Sequence, residues 1–151
     1  MNQTSSSVQT PLVEIVQSLY AAFGRGDIPS LLAGVSSEVD WGINVDPSAP
    51  GAKRIPDFRR FRGRDGVRAF FSIIDAELEF HSFVPVSFLS GGNEVVARVQ
   101  MDLTVKSTGR RMSSESMHLF VFDEARQLIR FTEYMDTLAS ASAWDVIEAK
   151  P

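Results

Sequence analysis

The chain has 151 residues, 44% of them hydrophobic and 23% charged, with no cysteine. That length is about one domain, large enough to bury about 68–70% of its unfolded surface without a covalent staple, and zero cysteines exclude disulfides, thiolate metal sites and cysteine nucleophiles. Fifteen Lys+Arg against nineteen Asp+Glu give a net charge of −4, the opposite of a general nucleic-acid binder. Aromatic usage is lopsided: 11 Phe against 2 Trp, 2 Tyr and 2 His. The expected interior is wide and apolar, with few groups available for chemistry.

Residues 1–9 lack a basic start, an apolar run and a small-residue cleavage site, and read as a flexible tail before a single domain over 10–149. No stretch reaches the roughly 18 apolar residues of a membrane span, so the expected location is cytoplasmic, with no membrane partner. Thr10 as N-cap and Pro11 at the first helical position open a helix, with Leu12, Ile15, Val16, Leu19, Ala22 and Phe23 at helical spacing. Gly24 stops it, and Asp27 caps a short second helix. Val39, Trp41 and Ile43 alternate with Asp40 and Gly42 as a strand. Residues 44–64 read as irregular and hold five arginines between 54 and 64. Asp65 is expected to cap a helix with Val67, Phe70, Phe71, Ile74 and Leu78 on its core face.

From about residue 80 the period becomes two. Strands are expected near 82–90, 94–106, 110–122 and 128–136, joined by hairpins at Gly91-Gly92, 107–109 and 123–127. A last helix is expected over 137–149, with Asp136 as its cap. Helices first and a strand meander after them make an α+β fold, a curved antiparallel sheet with three to four helices on one face.

Several pieces carry a family likeness together. They are Leu19-Tyr20-Ala21-Ala22-Phe23-Gly24-Arg25-Gly26-Asp27, Val39-Asp40-Trp41, and Arg62-Gly63 with Gly66-Val67 and Phe70-Phe71. The last runs from Gly109-Arg110 through His118-Leu119-Phe120-Val121-Phe122 to Ile129-Arg130-Phe131-Thr132-Glu133-Tyr134-Met135-Asp136-Thr137. In this order they resemble the SnoaL-like branch of the nuclear transport factor 2-like superfamily, which also holds ketosteroid isomerases and limonene epoxide hydrolases. The resemblance covers roughly residues 11–149. It implies a cone in which helices and a curved sheet enclose an apolar pocket, and in many members a dimer through the outer face of that sheet. The fold hosts enzymes, carriers and dimerisation modules alike.

Strand parity places His118, Phe120 and Phe122 on one face, and Met117, Leu119 and Val121 on the other. A hairpin setting Phe122 opposite Ile129 puts His118 opposite Glu133; a register shifted by one puts it opposite Thr132. The resemblance supports the first, since SnoaL-type cyclases pair a His on this strand with a carboxylate on the next. The same parity turns Phe131 and Met135 inward, with Val99, Met101, Leu103 and Val105 from the preceding strand and Trp41 and Ile43 on one wall.

His118 and Glu133 are therefore the candidate acid–base pair, suited to isomerisation, aldol closure or addition of water. The expected ligand is a small apolar or aromatic molecule bound by Tyr20, Trp41, Ile43, Phe70, Phe71, Met101, Leu103, Phe120, Phe131 and Met135. A non-catalytic binding or dimerisation module of the same fold is the alternative, in which the pair is a satisfied buried hydrogen bond. His81 is expected at the surface.

The chain departs from the enzymes it resembles. The base of the ketosteroid isomerases aligns near Ile43, and Leu19 falls at their essential Tyr, with Tyr20 one residue on. Parity puts Arg98 and Asp102 outside the pocket, unlike the Asp–Arg–Asp set of the epoxide hydrolases. Glu115 and His118 share only half of a zinc motif, so neither a metal nor a cofactor is expected. The arginines of 53–68 read first as a solvated loop and otherwise as a clamp for an anion or nucleic acid. Met117, Leu119, Val121 and Tyr134, interleaved with Arg98, Gln100, Asp102 and Arg130, predict a homodimer through the outer sheet face.

Overall fold

A computed structural model describes residues 9–147. The expected tail therefore falls outside the described residues except at Gln9, as do 148–149 at the end of the expected last helix. Two helices, α1 (Leu12–Gly24) and α2 (Ile28–Ala33), precede strand β1 (Val35–Ile43). A single 3-10 turn (Ala52–Arg54) and a three-residue strand β2 (Arg60–Arg62) lead into α3 (Gly63–Glu77). Four long strands follow: β3 (Leu78–Gly91), β4 (Glu94–Val105), β5 (Arg110–Phe122) and β6 (Leu128–Tyr134), and then α4 (Thr137–Ala143).

The six strands form one curved, unclosed sheet in the order β2-β1-β6-β5-β4-β3. The β3 to β6 meander is antiparallel throughout, as the hairpin signals require. The expectation of an all-antiparallel sheet fails at one seam, because β1 and β6 pair in parallel. The meander reverses the chain three times, so β6 arrives beside β1 running the same way; such a pair needs a long crossover, which α3 and the meander supply.

The helices differ from expectation mainly at their ends. The N-cap of α1 is Pro11, with no side-chain hydrogen bond, so Thr10 does not cap. Helix α3 starts at Gly63, leaving Asp65 inside its first turn, where its charge still suits the positive end of the helix dipole. Asp27 and Asp136 do cap, accepting from Ser30 N and Ala139 N.

Strand β2 lies inside the segment expected to be irregular, and sets Phe61 opposite Trp41. Its approach depends on Gly42: a Cβ there would stand 2.5 Å from the Arg59 carbonyl oxygen, inside van der Waals contact. The arginines of this segment mostly hold the chain to itself. Arg54 donates to Asp145 O, Arg64 to Val35 O, and Arg59 lies over the Phe61 ring. On the edge strand β3, register shifts near Phe80 and Pro85 break strict alternation, and bulges of this kind let an edge strand carry proline.

Between the helices and the concave face of the sheet lies a core that takes in Val16, Val39, Val67, Val99, Leu103 and Phe122. It does not fill the cone.

Candidate active site

The concave face encloses a cavity of about 90 Å³. For scale, an engineered apolar cavity of about 150 Å³ takes benzene, so a single small ring enters this one only as its walls yield. Tyr20, Trp41, Phe70, Phe71, Met101, Leu103, Phe120, Phe131 and Met135 all line it, together with His118 and Glu133. Ile43 does not; it is buried at 1% exposure beside the cavity, packed into the core. Phe80 and Phe83 of β3 also line the wall, and the bulges that turn them inward hid them from a period-two reading. The Trp41 and Phe131 rings stack at 4.1 Å with 23° between planes, forming one flat side.

The strands β5 and β6 place the polar groups. His118 is paired with Glu133 in the sheet register. The hairpin does not close as expected: Phe122 faces Leu128, with Ile129 bulged out, and the register reaches His118–Glu133 beyond the bulge. Nε2 of His118 lies 2.7 Å from Glu133 Oε2, with the residues 4% and 9% exposed. On its other side, Nδ1 lies 2.7 Å from the Tyr20 hydroxyl. Tyr20 projects from α1, one helical position from where the isomerase tyrosine aligns, and it reaches the histidine from there. Tyr20, His118 and Glu133 thus form one hydrogen-bonded chain on the cavity wall.

Donor counting fixes what this chain can do. An ionised carboxylate only accepts, so Nε2 carries a hydrogen and donates it to Glu133. Nδ1 then has two states. Unprotonated, it accepts from the Tyr20 O–H; protonated, it donates to the Tyr20 oxygen and frees the phenol hydrogen for another acceptor. Both ring nitrogens are engaged within the protein, so the outward end of the chain is the Tyr20 oxygen. Burial, reinforced by Glu133, pushes the Tyr20 phenol well above its ordinary range. Tyr20 therefore keeps its proton except where it hands one on as it receives another.

Sequence reasoning missed Asp57, which lies between the 3-10 turn and β2 and lines the same cavity. It is 5% exposed, and its Oδ1 has no hydrogen-bond partner. Burial pushes its carboxyl up to about 7, helped by the nearby charges of Glu133 and Glu77, against a backbone hydrogen bond that lowers it. The one signal for it was an acidic residue set within Ile55-Pro56-Asp57-Phe58, an otherwise apolar stretch. A second lining residue, Trp41, has a buried indole Nε1 that is also unpartnered.

None of the arginines of 53–68 lines this cavity. Arg98 and Asp102 stand on the outer face, ion-paired with Glu115 and Arg111, and exposed His81 bonds Thr104. Among the described residues, no group of three or more His, Asp or Glu is arranged to hold a metal ion. No helix there is long and apolar enough to cross a membrane.

The fold and the sequence have recognisable relatives. An NTF2-like protein of unknown function from Burkholderia pseudomallei superposes with a TM-score of 0.76 at 22% identity, over 89% of this chain and 98% of the other. An NTF2-like protein from Burkholderia xenovorans gives 0.73 at 28% identity, over 87% and 94%. TerC, co-crystallised with polyporic acid, gives 0.73 at 18% identity, over 90% and 99%. No curated protein sequence matches the chain. The family model of the SnoaL-like domain matches residues 16–130. That span takes in Tyr20, Asp57 and His118 and stops on β6, just short of Glu133. The chain belongs to the SnoaL-like family, within the nuclear transport factor 2-like superfamily.

Proposed function

We propose that the protein is an acid–base enzyme that moves a proton on a small, mostly apolar carbonyl compound held in the cavity. The observation that carries this reading is the Tyr20–His118–Glu133 chain, with both links at 2.7 Å, set in an apolar wall. In the proposed step a C–H bond next to the carbonyl breaks and its electron pair stays on the substrate as an enolate. The proton goes to the Tyr20 oxygen while the phenol's own hydrogen passes to His118 Nδ1. Glu133 holds the imidazolium that results. The reverse movement returns the proton to another carbon, which is the chemistry of isomerisation and of aldol closure. In this proposal the protein works as a homodimer, through an outer sheet face on which Val84, Leu89, Met117 and Tyr134 are exposed.

The test follows deuterium uptake next to the carbonyl of cyclohexanone in D₂O by NMR, with folding checked by circular dichroism. Wild type is expected to exceed the buffer rate, and His118→Ala and Glu133→Gln to lose about 10²–10⁴-fold of that excess. Tyr20→Phe is expected to fall with them. Full exchange in either of the first two variants overturns the relay. A wild type no faster than buffer leaves the binding-module reading in its place.

A further inference from the structure

Two polar groups on the cavity wall take no part in the relay. Asp57 Oδ1 and Trp41 Nε1 are both buried, both without a hydrogen-bond partner, and both on residues that line the cavity. Leaving either atom unpaired costs free energy, because a buried polar atom without a partner has given up its water on folding. Neither group has a packing role that explains its polarity: Trp41 would stack on Phe131 equally well without its N–H, and Asp57 sits in an apolar run. The two are complementary, one an acceptor and the other a donor.

We propose that Asp57 and the Trp41 indole N–H form a second polar subsite, which binds the hydroxyl of a small enolic or phenolic ring. A hydroxyl donates and accepts, so it matches a carboxylate and an N–H together, whereas an ether or a plain carbonyl satisfies only the indole. The flat side made by Trp41 and Phe131 suits a planar ring, and the cavity's size admits one ring rather than several. An enol is also the tautomer of the carbonyl compound that the relay would act on. The inference rests on this cavity being a binding site, but not on the relay. It makes Asp57 the group that receives or supplies the O–H proton: the O–H bond breaks, its pair stays on oxygen, and the proton passes to the Asp57 carboxylate.

The titratable groups that share the cavity wall with Asp57 are Tyr20 of α1, His118 of β5 and Glu133 of β6, and the charges of Glu133 and of Glu77 at the end of α3 act on it. Asp57 itself titrates near neutrality. A bonded O–H favours the carboxylate form, so binding should tighten as pH rises through about 7.

The experiment is calorimetric titration with phenol, with its methyl ether anisole as control, between about pH 5.5 and 8.5, a range that brackets the Asp57 titration. Phenol is expected to bind wild type several-fold more tightly at the upper pH than at the lower, and at least about 10-fold more tightly than anisole at the upper end. Asp57→Asn is expected to flatten the pH profile, and Trp41→Phe to weaken phenol about 10-fold while keeping its slope. Phenol failing to bind wild type, binding no better than anisole, or binding both variants as it binds wild type overturns the subsite. Retained phenol binding in a His118→Ala protein that has lost proton exchange separates this subsite from the relay. Loss of exchange in His118→Ala beside unchanged phenol binding in Asp57→Asn leaves the relay standing and the subsite refuted.

Discussion

The two faces of the sheet carry polar clusters that meet at β6, and they are wired in opposite ways. On the convex side, Asp40 of β1 accepts from Arg60 Nε and Arg130 Nη1 at 2.8 Å each. Arg60 also donates to the Phe131 carbonyl, the Asp40 carbonyl and Thr132 Oγ1. One carboxylate meets two guanidiniums, and the donors of Arg60 reach across three strands. On the concave side, one residue further along β6, the groups are a phenol, an imidazole and carboxyls with no arginine among them. Satisfied charge at a strand junction fixes a register. Carboxyl and imidazole groups in an apolar cavity keep a proton that can move. By this contrast the outer cluster belongs to folding and the inner one to the proposed chemistry, and substitutions can break the division from either side.

The largest stability effect is expected at Asp57. Its carboxyl is raised in the folded protein to about 7 from an ordinary 3.8. Between those values the folded state holds a proton that the unfolded chain has released, so stability falls as pH rises from about 4 to 7 and then levels. The loss amounts to about 4 kcal/mol, since each pH unit between the two values is worth about 1.36 kcal/mol. Asp57→Asn removes the titration. Urea unfolding should find the variant progressively more stable than wild type as pH rises from about 4 to 8. Parallel curves across that range would place Asp57 in water rather than in the wall.

Asp40→Asn comes next and has the opposite character. It should cost about 2 kcal/mol, the scale of a hydrogen bond to a charged group, while leaving proton exchange on cyclohexanone within a factor of about two. The check is paired urea unfolding and exchange rates on one preparation. A large loss of exchange with unchanged stability would invert the roles given to the two faces.

The inner cluster was partly legible in the sequence because strand parity needs only alternation. His118 and Phe120 on one face and Met117 and Leu119 on the other follow from the period of two alone, and the pairing with Glu133 holds although the hairpin closes differently from expectation. The bulge at Ile129 changes the turn without changing the register beyond it. What stayed hidden lies where alternation fails or distance intervenes. Asp57 stands in a segment without periodicity, Phe80 and Phe83 on a strand that bulges, and the Tyr20 contact joins residues 98 positions apart. The parallel β1–β6 seam was hidden for the same reason, since nothing local records which strand the end of a meander will meet. Arg60-Phe61-Arg62 did alternate, but three residues are too few to stand out from a loop rich in arginine.

The smallest expected effect on folding tests the convex face beyond the ion cluster. Met117 and Tyr134 are paired across β5 and β6 and are 42% and 44% exposed. Leu119 and Val121 beside them are half-buried. Large apolar side chains in open solvent contribute little to the stability of one subunit, so Met117→Lys should move urea unfolding at low protein concentration by no more than about 0.5 kcal/mol. In a homodimer built on this face the same change buries two lysines, one from each copy, against apolar neighbours, because a two-fold interface presents the same patch twice. Sedimentation should then show wild type as a dimer and the variant as a monomer, with Gln17→Lys on the exposed side of α1 as the charge control. A wild type that sediments as a monomer would remove the homodimer from the proposal and leave both polar clusters, and the division of labour between them, where they are.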